Sequence, residues 1–162
     1  MFINCCLTAF RRCTIQQQVY HSLHYKRRQK SVSYIVRYCH ENDSTVHLFG
    51  KITMFFKCIT STYALIQQYP RYCLFSDLLH SSSYHKLLYK SVNHLFYVVS
   101  KHCLPTCEPV LVSRILDHCI IFDCTDYHIV TPVSSYDEHD WHDNKIYDLW
   151  DFFTDIEKNR FF

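Results

Sequence analysis

From Val46 onward the chain alternates apolar and polar positions in short runs dominated by β-branched and aromatic residues, the pattern of half-buried strands. VHLFGKITMFFKCI at 46–59 and STYALIQQY at 61–69 flank a short polar turn and predict a hairpin-like pair. Gly50, inside the first run, predicts a bulge or a close approach of another backbone. Pro70-Arg71 ends the second run, and Tyr72 to Phe75 reads as a short edge piece. DLLHSSSYHKLLYK at 77–90 has no decided period. VNHLFYVVS at 92–100 predicts a strand, and KHCLPTCEP at 101–109 a loop punctuated by two prolines. VLVSRI at 110–115 and HCIIFDC at 118–124 read as successive strands or one bent strand. DYHIVTPV at 126–133 follows, with Pro132 placing its end at an edge or exit.

The two ends read differently. Ile15, Val19, Leu23 and Lys26 recur at three- to four-residue spacing and predict a helix over 14–30, before a strand at 32–39 and a turn at Glu41-Asn42-Asp43-Ser44. After a polar connection at 134–143, Ile146, Leu149, Trp150, Phe153 and Ile156 line one side of a predicted C-terminal helix, with Asp140 or Asp143 as its cap. The expected organisation is a basic, partly helical N-terminal arm at 1–45, a β-rich domain at 46–140 and an amphipathic helix at 141–162. The fold class is mostly β: five to seven short antiparallel strands closed into a small barrel or sandwich with flanking helices (α+β). No βαβ alternation is visible, which argues against a doubly wound sheet.

The segments HLFGKITMFFKC, TYALIQQY, NHLFYVV, VLVSRILDHCIIF and DYHIVTPVSSYDEHD, in that order over 46–140, carry a resemblance. A Gly-Lys-Ile strand, a Tyr-Ala-Leu-Ile strand and a late Tyr-x-Ile-x-x-Pro segment resemble the β-rich domain of uncharacterised transposon-associated eukaryotic proteins. The arrangement is also similar to bromo-adjacent-homology modules. The resemblance implies a β fold in a chromatin or nucleic-acid context and names no catalytic residue.

Composition narrows the chemistry. One Gly in 162 residues argues against glycine-rich phosphate-binding loops, which need backbone close to phosphate or at positive φ. The net charge of +2 conceals a gradient: residues 1–40 hold seven bases and no acid, and residues 117–162 hold three bases and eleven acids. The basic head suits phosphate backbones, or the acidic tail of its own chain or of a second copy. The 10 Cys fall below the density of a small disulfide scaffold. With positive charge following rather than preceding the first apolar stretch, and no run of 18 apolar residues, the reading is no membrane partner and a reducing compartment, nucleus or cytoplasm.

Four constellations carry candidate chemistry. Arg11, Arg12, Lys26, Arg27, Arg28, Lys30 and Arg37, interleaved with Tyr20, Tyr25, Tyr34 and Tyr38, suit phosphate neutralisation and base stacking; a solvated basic helix end is the simpler explanation. Cys103, Cys107, His118 and Cys119 form the best zinc set by spacing, though 22 Cys and His residues produce close pairs by composition alone. Asp137, Glu138, His139, Asp140, His142 and Asp143 suit a divalent metal of a nuclease-like enzyme, or simply an acidic helix start. Cys119 with His118 and Asp117 contains the parts of a covalent site, but strand neighbours point to opposite faces. The leading function is a non-enzymatic interaction module, nucleic-acid or chromatin associated and transposon-derived. A metal-dependent nuclease and a structural protein without ligand are the alternatives, with protein or self-association as further partners.

Overall fold

The computed structural model describes residues 7–25, 33–81, 85, 86, 89, 92–102, 104 and 106–133. Over this range the protein is mostly β, as the alternation predicts. The strands are β1 (Thr8–Phe10), β2 (Arg12–Ile15), β3 (Gln18–His21), β4 (Ile35–Cys39), β5 (His47–Cys58) and β6 (Ser61–Tyr69). They continue as β7 (Arg71–Leu74), β8 (Tyr97–Ser100), β9 (Cys107–Leu111), β10 (Ile115–Asp123) and β11 (Tyr127–Pro132). All pairings are antiparallel. The main sheet runs β7-β8-β11-β10-β4-β5-β6-β9, with β1 added along β5, while β2 and β3 pair as a separate hairpin.

Strand order and chain connectivity together require the sheet to roll. β6 and β7 lie six places apart in the order, yet only Pro70 separates them in sequence. A flat sheet would hold them ~29 Å apart at about 4.8 Å per strand, far beyond the reach of one residue. The sheet therefore curls until the end of β6 meets β7 and β8, where Ser100 N–H donates to the Pro70 carbonyl at 2.8 Å. The same logic acts at the other end: β9 and β10 are four places apart and joined only by the 3-10 turn Val112–Arg114. The result is a curled half-barrel.

The two rolls enclose opposite faces of the sheet. Val36, Tyr38, Ile52, Phe55, Ile66, Val110 and Ile115 fill the trough made by β4, β5, β6, β9 and the start of β10, with Ile15 and Tyr20 of the β2–β3 hairpin as its lid. Ile35, Phe49, Tyr69, Val99, Cys119 and Val130 fill the trough on the other face. Adjacent pairs such as Ile35/Val36 and Val98/Val99 divide between clusters because successive side chains leave a strand on opposite sides. A third cluster of Phe75, Phe96, Val98, Tyr127 and Ile129 packs beneath the 3-10 helix Phe75–Leu79. Each fully buried aliphatic or aromatic side chain contributes about 1.5–3 kcal/mol, so the three clusters, not local propensity, hold the fold.

Gly50 is a close-approach glycine. A Cβ there would sit 2.5 Å from Ile66 Cγ2 and 2.7 Å from the Gln67 carbonyl oxygen, and its φ is not positive. The bulge comes slightly later, between Ile52 and Met54, and it shifts the inward phase so that Ile52 and Phe55 both face the first trough.

Three expectations are corrected. The helix predicted over 14–30 is absent from its described part: Arg12–Ile15 and Gln18–His21 form a hairpin, turning at Gln16 and Gln17 with φ of 48° and 67°. Ile15, Val19 and Leu23 have helical spacing, but burial of Ile15 and Tyr20 in the first trough outweighs that local preference. The strand predicted at 92–100 starts only at Tyr97, because Asn93 turns back and its amide bonds Ser76 N–H at 2.9 Å and Ser76 Oγ at 3.0 Å. The proline loop at 101–109 becomes strand from Cys107, and Pro109 is tolerated because β9 is an edge. The predicted C-terminal helix at 141–162 lies outside the described residues.

Candidate binding site at a trough mouth

The second trough opens at one end into a cavity of about 320 Å³. Its floor is Phe49 from β5, Tyr69 from β6, and Tyr97 and Val99 from β8. Phe49 and Tyr97 rings meet at 4.5 Å, and Tyr69 sets its edge against His128 at 5.6 Å. These aromatics gather because the roll brings the start of β5, the end of β6 and β8 together. The Tyr97 hydroxyl donates to the His94 carbonyl at 3.0 Å, which fixes its ring.

The rim is polar. His47, Gln68 and Arg71 border the opening, with Thr45 and Val46 forming a lip from the β4–β5 connection. Burial, then repulsion from Arg37, holds the His47 imidazole below its ordinary pKa, so at neutral pH it is uncharged and offers one donor and one acceptor. Asp43, close to the lip, is occupied by Thr45: its Oδ1 accepts from Thr45 N–H at 2.9 Å and from Thr45 Oγ1 at 2.6 Å. Arg71 is exposed and, among the described residues, is the one permanently charged side chain lining the cavity.

Of the basic residues read from the sequence, Arg11, Arg12 and Arg37 are described, and they lie in different settings. Arg11 and Arg12 are exposed beside the β2–β3 hairpin, whereas Arg37 is clamped by Asp117. Its Nε donates at 2.8 Å, its second nitrogen bonds the same oxygen, and both side chains are mostly buried. Tyr20 and Tyr38 are core residues: Tyr38 donates to Glu108 Oε1 at 2.5 Å, and burial raises the Tyr20 pKa to about 12. Neither presents a ring for stacking on a partner. Lys26, Arg27, Arg28 and Lys30 lie outside the described residues.

Of the zinc set, Cys107, His118 and Cys119 are described, and these three do not converge on one point. Cys107 is exposed on the edge strand β9, with its thiol 3.7 Å from Thr53 Oγ1. His118 faces the first trough, where its ring lies 3.8 Å from Tyr20. Cys119 faces the second trough, among Ile35, Val99 and Val130. Cys103 and the acidic 137–143 set lie outside the described residues, and among the described residues no three His, Cys, Asp or Glu side chains are grouped to hold a metal.

The same placement bears on covalent chemistry. Burial pushes the Cys119 thiol far above its ordinary pKa, with a further rise from Asp117, so it is a poor nucleophile. Burial also holds His118 below its ordinary value, and its Nε2 has no hydrogen-bond partner. Among the described residues no helix is long and apolar enough to cross a membrane.

The rim residues His47, Gln68 and Arg71 were not legible as a site, since they carry no motif and unite only through the roll of the sheet. The one local signal is Arg71 at the Pro70 break, a charged side chain beside an aromatic strand end. No protein-family model matches the chain, and no curated protein or solved structure matches it either.

Proposed function

We propose that the chain is a non-enzymatic interaction module that binds single-stranded nucleic acid. The observation that carries this reading is the trough mouth, where an aromatic floor meets Arg71 and an uncharged imidazole. Aromatic faces attract bases of any sequence, a guanidinium attracts phosphate, and the two together are the recurrent elements of single-strand recognition. Exposed Arg11 and Arg12, and the KRRQK tract at 26–30, add long-range attraction. The commitment of Cys119 and His118 to opposite core faces favours binding over catalysis. The resemblance to chromatin- and transposon-associated β domains supplies the context for such a module.

Titration of labelled single- and double-stranded oligonucleotides at several salt concentrations tests the reading. The expected result is preference for single strands, with log affinity falling linearly as log salt rises, because bound cations are released. Arg11→Glu with Arg12→Glu weakens all sequences about equally. Absence of binding at low salt would reject the function.

A further inference from the structure

The mouth is small. Ligand pockets span about 300–1,000 Å³, and this one, at about 320 Å³, stands at the lower bound. It has room for one ring system with a substituent, not for a run of stacked nucleotides. Among the described residues its lining holds one cation of permanent charge, Arg71, together with the aromatic pair Phe49 and Tyr97. His47 lines the mouth as well, and its imidazole offers a donor and an acceptor of the kind that meet the edge of a heterocycle.

We propose that the mouth binds one nucleoside monophosphate unit, free or as the phosphorylated end of a strand, with its base against Phe49 and Tyr97 and its phosphate on Arg71. The inference rests on the nucleic-acid reading above and adds to it a defined subsite. Asp43, two residues before Thr45 of the lip, already accepts two hydrogen bonds from Thr45, while Arg71 is an exposed cation at the start of β7. A guanidinium binds phosphate through charge-assisted hydrogen bonds, and a terminal monoester carries about −1.5 to −2 charges at neutral pH against one for an internal diester, so Arg71 holds a terminal phosphate more strongly.

The test uses the full chain in amide-resolved NMR titrations. Adenosine, guanosine, cytidine and uridine monophosphates are compared with their nucleosides, and 5′-phosphorylated short DNA with its 5′-hydroxyl counterpart. Monophosphates should shift the amides of Phe49, Gln68 and Tyr97, and nucleosides should bind at least about tenfold more weakly. Arg71→Gln, at an exposed position that leaves the floor intact, should abolish the difference between phosphate and hydroxyl forms while the remaining amide spectrum stays native. Tighter binding of the phosphorylated oligonucleotide than of free monophosphate identifies the strand end as the source; equal affinity identifies the free nucleotide. If oligonucleotides bind but mononucleotides leave the mouth unshifted, or Arg71→Gln changes nothing, the subsite is overturned and the module reading stands. If no nucleic acid binds in any form, both fall.

Discussion

Gly50→Ala is the sharpest test of the architecture, because the obstruction it creates is backbone. Gly50 lies in β5 opposite Gln68 on β6 and Val36 on β4, so strands flank it on both sides. The added methyl would stand 2.7 Å from the Gln67 carbonyl oxygen and 2.5 Å from Ile66 Cγ2. Ordinary carbon–oxygen contact begins at about 3.3 Å, so roughly 0.6 Å must be opened in a paired strand. Overpacking by one methyl costs about 1–3 kcal/mol, and a rigid neighbour places this case near the top of that range. Loss of glycine freedom in the unfolded chain returns about 0.4–1 kcal/mol. The expected net loss is about 2 kcal/mol, or a fall in Tm of roughly 4–8 °C at this chain length. Urea and thermal melts followed by circular dichroism measure it. Repeating the substitution in an Ile66→Ala background separates the two contacts: truncation removes Cγ2 but leaves the Gln67 carbonyl, so a penalty of about 1 kcal/mol or more should persist. A Gly50→Ala protein within about 0.5 kcal/mol of its parent would refute the β5–β6 register and the packing drawn from it.

Other outcomes follow from single contacts. Tyr38→Phe removes the hydroxyl that bonds Glu108 and should cost about 1–3 kcal/mol in urea midpoints, with Glu108→Gln milder because it still accepts; equal losses would show that charge, not the bond, matters. Asp117→Ala leaves the mostly buried Arg37 cation unpaired and should cost about 3 kcal/mol, while the parent's stability should change little with salt; a loss below about 0.5 kcal/mol would make the pair decorative. His47, His118 and His128 all titrate below the usual imidazole value, chiefly through burial. The unfolded chain therefore takes up protons first: their contribution is complete above about pH 7 and declines as pH falls from about 6.5 through the lower folded values. Urea midpoints that hold steady or rise from pH 7 to pH 5 would contradict this sign. In alkylation followed by mass spectrometry, exposed Cys107 should react promptly, whereas buried Cys119 should react only as fast as the fold opens.

Legibility tracked the range of the forces involved. The β5–β6 hairpin was readable because alternation and the turn are local; β6 falls on 61–69 as its pattern predicts. The opposed directions of His118 and Cys119 were also local, a consequence of strand geometry alone. The β2–β3 hairpin was hidden because Gln16 and Gln17, rather than Gly or Asn, adopt positive φ at its turn, and no residue type announced it. Arg37 looked like one more cation of a basic head until Asp117, 80 positions away, proved to hold it. The mouth was hidden for the same reason, since Phe49, Arg71 and Tyr97 become neighbours only when the sheet rolls.

That separation has a consequence for biosynthesis. β4 receives one neighbour, β5, almost at once, but its other edge waits for β10. At about 5–20 residues per second, the 80 positions between Arg37 and Asp117 take roughly 4–16 s to translate. For that interval the nascent chain carries an unpaired strand edge bearing Ile35, Val36 and Tyr38, all buried in the finished protein. That edge can be covered only once the tenth strand has left the ribosome.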